Sequence, residues 1–205
     1  MMLLWQSNSL NAADNLAYEE RLLNAGKPGV LLWQSTPAVI VGRHQIIADE
    51  VRQIGIPVYR RISGGGAVYM DEGNINIAFF GETGMNKAID ILSEFLKTLN
   101  IQTQSSGNDI TVNEHKISGW AAIKRNGITM AHGTLMFNVN LDILEKVLTP
   151  SANKLQRHGL KSVRARVGNL EELLPNLTFK DFYHNLSEYL VDYAKGDFCC
   201  RQGGK

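Results

Sequence analysis

The sequence predicts an α+β domain built on a mixed, largely antiparallel β-sheet flanked by helices. Two observations carry this. Segments with helical spacing and segments rich in β-branched residues come in clusters, without the regular strand–helix alternation of a parallel α/β fold. The chain of 205 residues, 44% hydrophobic and 20% charged, is also long enough for one sizeable core and ordinary in composition for a globular domain.

The elements follow in order. LNAADNLAYEERLLNAG places Asn11 or Asp14 near a helix start, sets Leu16, Leu22 and Leu23 on one apolar stripe, and ends at Gly26. GVLLWQ and AVIVGR are β-rich runs separated by Ser35, Thr36 and Pro37, which reads as two neighbouring strands joined by a turn. Over residues 85–99, Ala88, Ile89, Leu92, Phe95, Leu96 and Leu99 recur at helical spacing and predict a helix packed on the sheet. Between residues 110 and 140, DITVN, HKISGWAAI and GTLMFNVN read as strands divided by Asn113, Asn126 and Gly127. Helices are expected again at residues 141–148 and 179–193. The domain is expected to span residues 1–195, with GDFCCRQGGK, residues 196–205, as a flexible tail.

A net charge of +1 gives no global basic field to draw the chain to nucleic acid or a membrane surface, so any charge-based recognition is local. The two cysteines, Cys199 and Cys200, are adjacent in a polar tail and cannot staple a core, which suits a reducing compartment. The opening MMLLWQSNSL is too short and polar to span a bilayer, and it lacks the charged start and small-residue cleavage site of a signal peptide. These features read as a cytoplasmic protein, or an organellar matrix protein whose presequence has been removed.

Chemistry concentrates in RRISGGGAVYMDEGN, residues 60–74. It sits between a strand ending near Ile62 and one starting near Ala67. Three glycines there permit positive φ and let a ligand approach the amides, so several N–H groups can aim at one phosphate oxygen. Arg60 and Arg61 can add bidentate contacts to the same anion; a glycine-rich hairpin with surface arginines is the plainer reading. No P-loop signature occurs, and Gly64-x-Gly66 lacks its third glycine. Downstream, Lys116 falls on a predicted strand, where an ammonium can stabilise charge developing on a phosphate or carbonyl oxygen. Asn108 and Asp109 can orient a ribose, a base or a magnesium-bound phosphate, or form an Asx turn at a strand start. His132 precedes Gly133 at the head of an apolar strand, where a hydrogen-bonded structural histidine is the commoner outcome.

Taken in order, NLAYEE, VIVGRHQ, RRISGGGAVYMDEGN, GNDITV, HKISGWA, HGTLMFNVNL and LKSVRARVGNLEELLP resemble the catalytic domain of lipoate-protein ligase A, within the biotin/lipoate ligase superfamily. The resemblance covers most of the chain, to beyond Leu174. It implies that ATP activates lipoic acid to lipoyl-adenylate, and that the lipoyl group passes to a specific lysine of a carrier domain. The carriers it implies are lipoyl domains of 2-oxoacid dehydrogenase complexes or the H protein of glycine cleavage. The family's lysine falls on Lys116, between acyl carboxylate and α-phosphate. Arg61, Gly66, Ala67, Val68 and Tyr69 carry over as nucleotide contacts, with Gly73, Asn74, Asn108 and Asp109 around the nucleotide and its Mg2+, Asp109 being the candidate metal ligand. Leu16, Trp33, His132 and Gly133 match the pocket for the acyl chain and its carbonyl end, with Arg60, Ser63, Gly65 and Lys116 beside them.

The sequence departs from the family's pattern in two places. Only about thirty residues follow Pro175, so the C-terminal accessory domain of full-length bacterial ligases is expected to be absent and a separate accessory subunit to replace it. Glycine precedes Asn108-Asp109 where the family often has arginine, and Trp120 stands where a smaller residue is usual, an indole expected to reshape the acyl or carrier surface. The alternatives are ATP-independent octanoyl or lipoyl transfer and a non-catalytic lipoate or lipoyl-adenylate binding protein. Transferases of the superfamily use a cysteine thioester, and in the branches most similar to this chain that cysteine precedes the lysine motif. Here that stretch reads QSSGNDITV. Biotin ligation is a weaker fit, because RRISGGGAVY and KISG resemble the lipoate branch more closely.

Overall fold

The computed structural model describes residues 2–148 and 166–196. Within those residues the chain forms β1 (Leu3–Gln6), α1 (Ala12–Ala25), β2 (Gly29–Trp33), β3 (Ala38–Val41), α2 (Ile47–Glu50), β4 (Val58–Arg60), β5 (Val68–Met70) and β6 (Asn74–Gly81). It continues through α3 (Met85–Thr98), β7 (Gln104–Ser106), β8 (Asp109–Val112), β9 (His115–Arg125), β10 (Ile128–Met136) and α4 (Leu141–Val147). A 3-10 turn (Leu170–Leu173) and a last helix, α5 (Phe179–Lys195), complete it. The expected tail with Cys199 and Cys200, and the first part of LKSVRARVGNLEELLP, lie outside the described residues.

Local chemistry sets the boundaries. Asn11 caps α1, its side chain accepting from the Ala13 and Asp14 amides at 2.8 and 3.3 Å, and Gly26 at φ 66° ends the helix in the left-handed region. Two-residue turns join β8 to β9 and β9 to β10. Asn113 and Glu114 in the first, and Asn126 and Gly127 in the second, all have positive φ, the mirror-image turn whose twist matches an antiparallel hairpin.

The described strands form two sheets. The larger runs β1-β2-β6-β10-β9-β8-β7, with only β1 and β2 parallel; the smaller runs β4-β3-β5. Strands β2 and β3 are therefore not the neighbours that their spacing suggests. Both edges of β2 are already taken, by β1 and β6, so the chain crosses over residues 34–37 into the second sheet. There β3 is enclosed by β4 and β5. Nor do β4 and β5 pair with each other, which removes the simple-hairpin reading of the glycines between them.

Helices α3 and α5 cover one face of the large sheet. Ile77, Phe79, Leu92 and Phe95 pack there with Phe137 and Phe182, whose rings lie 4.8 Å apart between centroids. The opposite face carries Leu31, Trp33, Ala78, Phe80 and Met130, which meet α1 and Ile40 and Met70 of the small sheet. On its far side the small sheet presents Val39, Val41 and Tyr69 to Leu141, Leu144 and Val147 at and within α4. A cavity opens between the two sheets.

Candidate active site

One irregularity places the central lysine. Along β8 and β9 the register runs Asp109↔Gly119 and Ile110↔Ser118, then slips to Thr111↔Lys116 and Val112↔His115. The extra residue is Ile117, which packs into the α3/α5 core with Trp120. Side chains alternate along a strand, so this bulge lets Lys116 share the cavity side with Gly119 and Ala121. Gly119 makes room: a Cβ there would meet Lys116 Nζ and Cε. The ammonium folds over it to sit 2.7 Å from Asp109 Oδ1. Asp109 Oδ2 pairs in turn with Arg166 Nη2, so one carboxylate joins two cations.

The cavity has a volume of about 350 Å³, within the range of small-ligand sites. Leu16, Trp33, Ile40 and Met70 give it an apolar part, and Asn108, Asp109, Lys116 and Arg166 a polar, charged one. Of the residues expected from the sequence, Gly65, Gly66, Ala67, Val68 and Tyr69 line it along the glycine-rich segment, and His132 and Gly133 line it from β10. Burial raises the Tyr69 hydroxyl above its ordinary pKa, with the neighbouring Asp71 adding to the shift. The segment holds its course because Gly65 adopts φ 93° and Gly42 at the end of β3 lies against it, where any Cβ would overlap the Gly65 carbonyl.

The two arginines act as braces. Arg61 donates from Nε to Ser63 Oγ and Gly64 O at 3.0 and 3.1 Å, from Nη1 to Ile40 O at 3.2 Å, and from Nη2 to Gly64 O and Gly66 O at 2.6 and 2.8 Å. Burial lowers its guanidinium to about 10, still charged at neutral pH. Arg60 donates to the carbonyls of Gly42, Arg43 and Gln45 and faces a separate small groove beside α1. Arg61 braces the glycine-rich turn and Arg60 the turn at residues 42–45, both through backbone carbonyls, which is a different use of their donors from the anion contacts the sequence suggested.

Along the apolar part of the cavity runs a buried chain of hydrogen bonds that involves Glu19, which also lines the cavity and was not singled out by its motif. Trp33 Nε1 donates to Glu19 Oε1 at 3.0 Å, His132 Nδ1 lies 2.8 Å from Glu19 Oε2, and His132 Nε2 lies 2.6 Å from Ser63 Oγ. A carboxylate only accepts and Arg61 only donates. With a neutral imidazole, the arrangement that serves these partners puts the proton on His132 Nδ1 and has the Ser63 hydroxyl donate to Nε2 while accepting from Arg61. The order Ser–His–Glu is that of a hydrolase relay. Here, however, Ser63 is 1% exposed and is not among the residues that line the cavity. The relay is a strut.

Two further residues complete the picture. Asn74 is fully buried and does not line the cavity; its Nδ2 donates to Asn76 Oδ1 at 3.0 Å. Asn76 does line it, 3% exposed, and its Nδ2 has no partner among the described residues, leaving a buried donor beside the ligand space. Trp120 packs mostly into the core, tilted against Phe79, over Gly133, where a Cβ would overlap the indole. It also lines the cavity, beside Gly119 and Ala121.

Similarity to known proteins agrees with this geometry. The sequence matches the family described as Lipoyl protein ligase A/B catalytic domain over residues 11–191. It is 37% identical over 189 residues to lipoate–protein ligase 1 of Staphylococcus aureus, covering 85% of this chain and 58% of that protein. A crystal structure of P. falciparum LipL1 in complex with lipoate superposes with a TM-score of 0.83 at 31% identity, over 96% of this chain and 63% of the other. The bi-partite lipoate protein ligase of Thermoplasma acidophilum, solved in work that includes its E2 lipoyl domain, gives a TM-score of 0.80 at 25% identity, over 95% of this chain and 83% of the other. The chain spans between 48% and 63% of the length of the curated relatives it matches. On the extent of the family match and these identities, the chain belongs to the lipoyl protein ligase A/B catalytic domain family.

Proposed function

We propose that this chain carries the catalytic centre of an ATP-dependent lipoate–protein ligase. The observation that carries the reading is Lys116, aimed by the Ile117 bulge into a cavity with both an apolar part and a charged part, along which Gly65 and Gly66 also lie. An eight-carbon acyl chain offers mainly hydrophobic area, which suits Leu16, Trp33, Ile40 and Met70. In the first step a lipoate carboxylate oxygen bonds to the α-phosphorus of ATP, and the bond from that phosphorus to the bridging oxygen breaks, releasing pyrophosphate. Lys116 stabilises the charge on the acyl carboxylate and the α-phosphate. In the second, the neutral amine of a carrier lysine attacks the acyl carbonyl, the amide forms, AMP departs and the amine proton is lost to solvent.

The glycine-rich segment supplies amide N–H groups, and Asn76 Nδ2 a further donor, for the adenylate. Asp109 does not fit a metal cage, since both its oxygens face cations. Among the described residues no three His, Cys, Asp or Glu side chains converge to hold an ion. The magnesium of the ATP complex therefore rides on the triphosphate in this reading. The carriers are lipoyl domains, or the glycine cleavage H protein, and a separate accessory subunit assists activation; the bi-partite archaeal ligase among its structural relatives supports that arrangement. Thioester transfer lacks the nucleophile expected ahead of the lysine motif, because that stretch reads QSSGNDITV, without a cysteine. Among the described residues no helix is long and apolar enough to cross a membrane, and the reading places the reaction in the cytoplasm.

The test is lipoate-dependent pyrophosphate release from ATP in a single turnover, run with and without an accessory polypeptide. Release that requires lipoate supports the ligase. Equal release with and without lipoate in both arms contradicts it.

A further inference from the structure

Among the described residues, Arg61, Lys116 and Arg166 bring arginine or lysine side chains to the cavity. Arg61 directs hydrogen bonds at Ser63 and the carbonyls of Ile40, Gly64 and Gly66, which gives it the shape of the glycine turn to maintain. Arg166 is differently placed. Its segment lies alongside β9, with Val167 bridging Lys116 in parallel and Gly168 N donating to Lys116 O at 3.1 Å. Its Nη2 meets Asp109 Oδ2, while Asp109 Oδ1 holds Lys116 Nζ at 2.7 Å. The side chains of Lys116, Asp109 and Arg166 are 22%, 15% and 27% exposed, so the cluster is accessible to an incoming ligand yet shielded enough for its charges to matter.

We propose that Arg166 is a polyphosphate-contacting residue of this site and that Asp109 is an anionic place-holder, keeping Arg166 and Lys116 side by side until phosphate oxygens replace it. The proposal rests on the ligase reading of the same cavity. The cluster of two cations and one carboxylate carries a net positive charge, and the two cations bracket a single anionic group, the footprint of adjoining phosphates in a chain. Arginine's planar fork suits bidentate phosphate contact, whereas the lysine ammonium acts as a compact point charge. With Lys116 assigned to the α-phosphate, Arg166 meets the neighbouring phosphates, those that leave as pyrophosphate. Asp109 then competes with the polyphosphate for the same donors.

The experiment uses the full chain and titrates inorganic pyrophosphate calorimetrically with a chelator present, so that no metal bridge contributes, beside AMP as the comparison ligand. Arg166→Gln is expected to weaken pyrophosphate binding about tenfold or more, as for one charge-assisted contact, with AMP affinity within about twofold and the melting temperature unchanged. Arg166→Lys should recover part of the loss. Asp109→Asn is expected to tighten pyrophosphate binding, a sign that a merely structural aspartate does not give. Pyrophosphate affinity equal to wild type in Arg166→Gln, or weakened in Asp109→Asn, overturns the proposal. If Arg166→Gln melts early, the Asp109→Asn result and the Arg166→Lys titration decide. Lipoate-dependent pyrophosphate release by the wild-type chain, with Arg166→Gln unimpaired in binding, sinks this inference and leaves the ligase reading standing. Absence of lipoate-dependent release in the wild type sinks the ligase reading first.

Discussion

Lys116 Nζ sits 2.7 Å from Asp109 Oδ1 across a strand pair whose register slips at Ile117. The lysine's direction is thus set by backbone, while its charge is held at the cavity by a carboxylate. Lys116→Ala should abolish adenylate formation and leave the fold intact, because the side chain is not part of an apolar cluster. Single-turnover adenylation together with a thermal melt checks this. Retained adenylation in the variant removes Lys116 from the mechanism.

Gly119→Ala tests the same geometry without deleting the charge. The added Cβ meets Lys116 Nζ and Cε, the flexible end of a side chain. The expected outcome is an ammonium displaced from Asp109, a fall in adenylation rate of about tenfold or more, as for one lost charge-assisted contact, and little change in stability. A variant with the wild-type rate would show that the position of the ammonium is not critical.

Glu19→Gln removes one acceptor from a carboxylate that serves both Trp33 and His132. An amide can accept from one of them but presents its own N–H to the other. The expected cost is about 1–3 kcal/mol of stability, with a raised KM for the acyl substrate and a smaller effect on kcat. Denaturant unfolding and steady-state kinetics measure the two.

Phe182→Ala probes the scaffold. Phe182 is fully buried between Phe95 and Phe137, with ring centroids 5.5 and 4.8 Å away, so the loss should be about 3–5 kcal/mol, read as a lower urea midpoint. Replacing Cys199 and Cys200 together by serine should leave ligation unchanged. An acyl-thioester on either would overturn the adenylate mechanism.

Much of the scaffold was legible because local chemistry specifies it. The Asn11 cap and Gly26 stop bound α1, the apolar spacing of Ala88 to Leu96 marks α3, and Asn126-Gly127 marks a hairpin turn. The pairing of strands was less legible. GVLLW and AVIV look like partners by proximity, yet β2 has both edges filled by strands distant in sequence, and such pairing is a tertiary choice. Four-residue β1, three-residue β7 and the short α2 carry too few residues for a periodicity to show.

The cavity residues were found through resemblance more than through pattern. Glu19 offered a signal, a charged residue at helical spacing from Leu16 and Leu23 on a stripe that should be apolar. Asn76 offered another, repeating the polar Asn74 two residues on in an otherwise apolar strand. Arg166 fell within the run LKSVRARVGNLEELLP, but nothing in that run marks it for the cavity, since its position depends on the Val167 bridge to β9. The bulge at Ile117 was equally silent, because the sequence HKISG does not announce which residue is extra. The roles of Arg60 and Arg61 could not be read from charge alone: positive side chains beside glycines serve an anion or the glycines' own carbonyls, and geometry decides.

The measurement that bears most directly on the central claim is the mass of an apo lipoyl domain after incubation with this chain. One reaction contains lipoate and magnesium-ATP, with an accessory polypeptide where activation requires it. The other contains preformed lipoyl-adenylate, with a protein-free control. The account predicts a lipoyl mass increase on the domain in both, and its loss in the ATP reaction when Lys116 is replaced by alanine. A domain of unchanged mass in both reactions, with the chain folded and lipoyl-adenylate bound, would contradict it and leave a binding protein in place of a ligase.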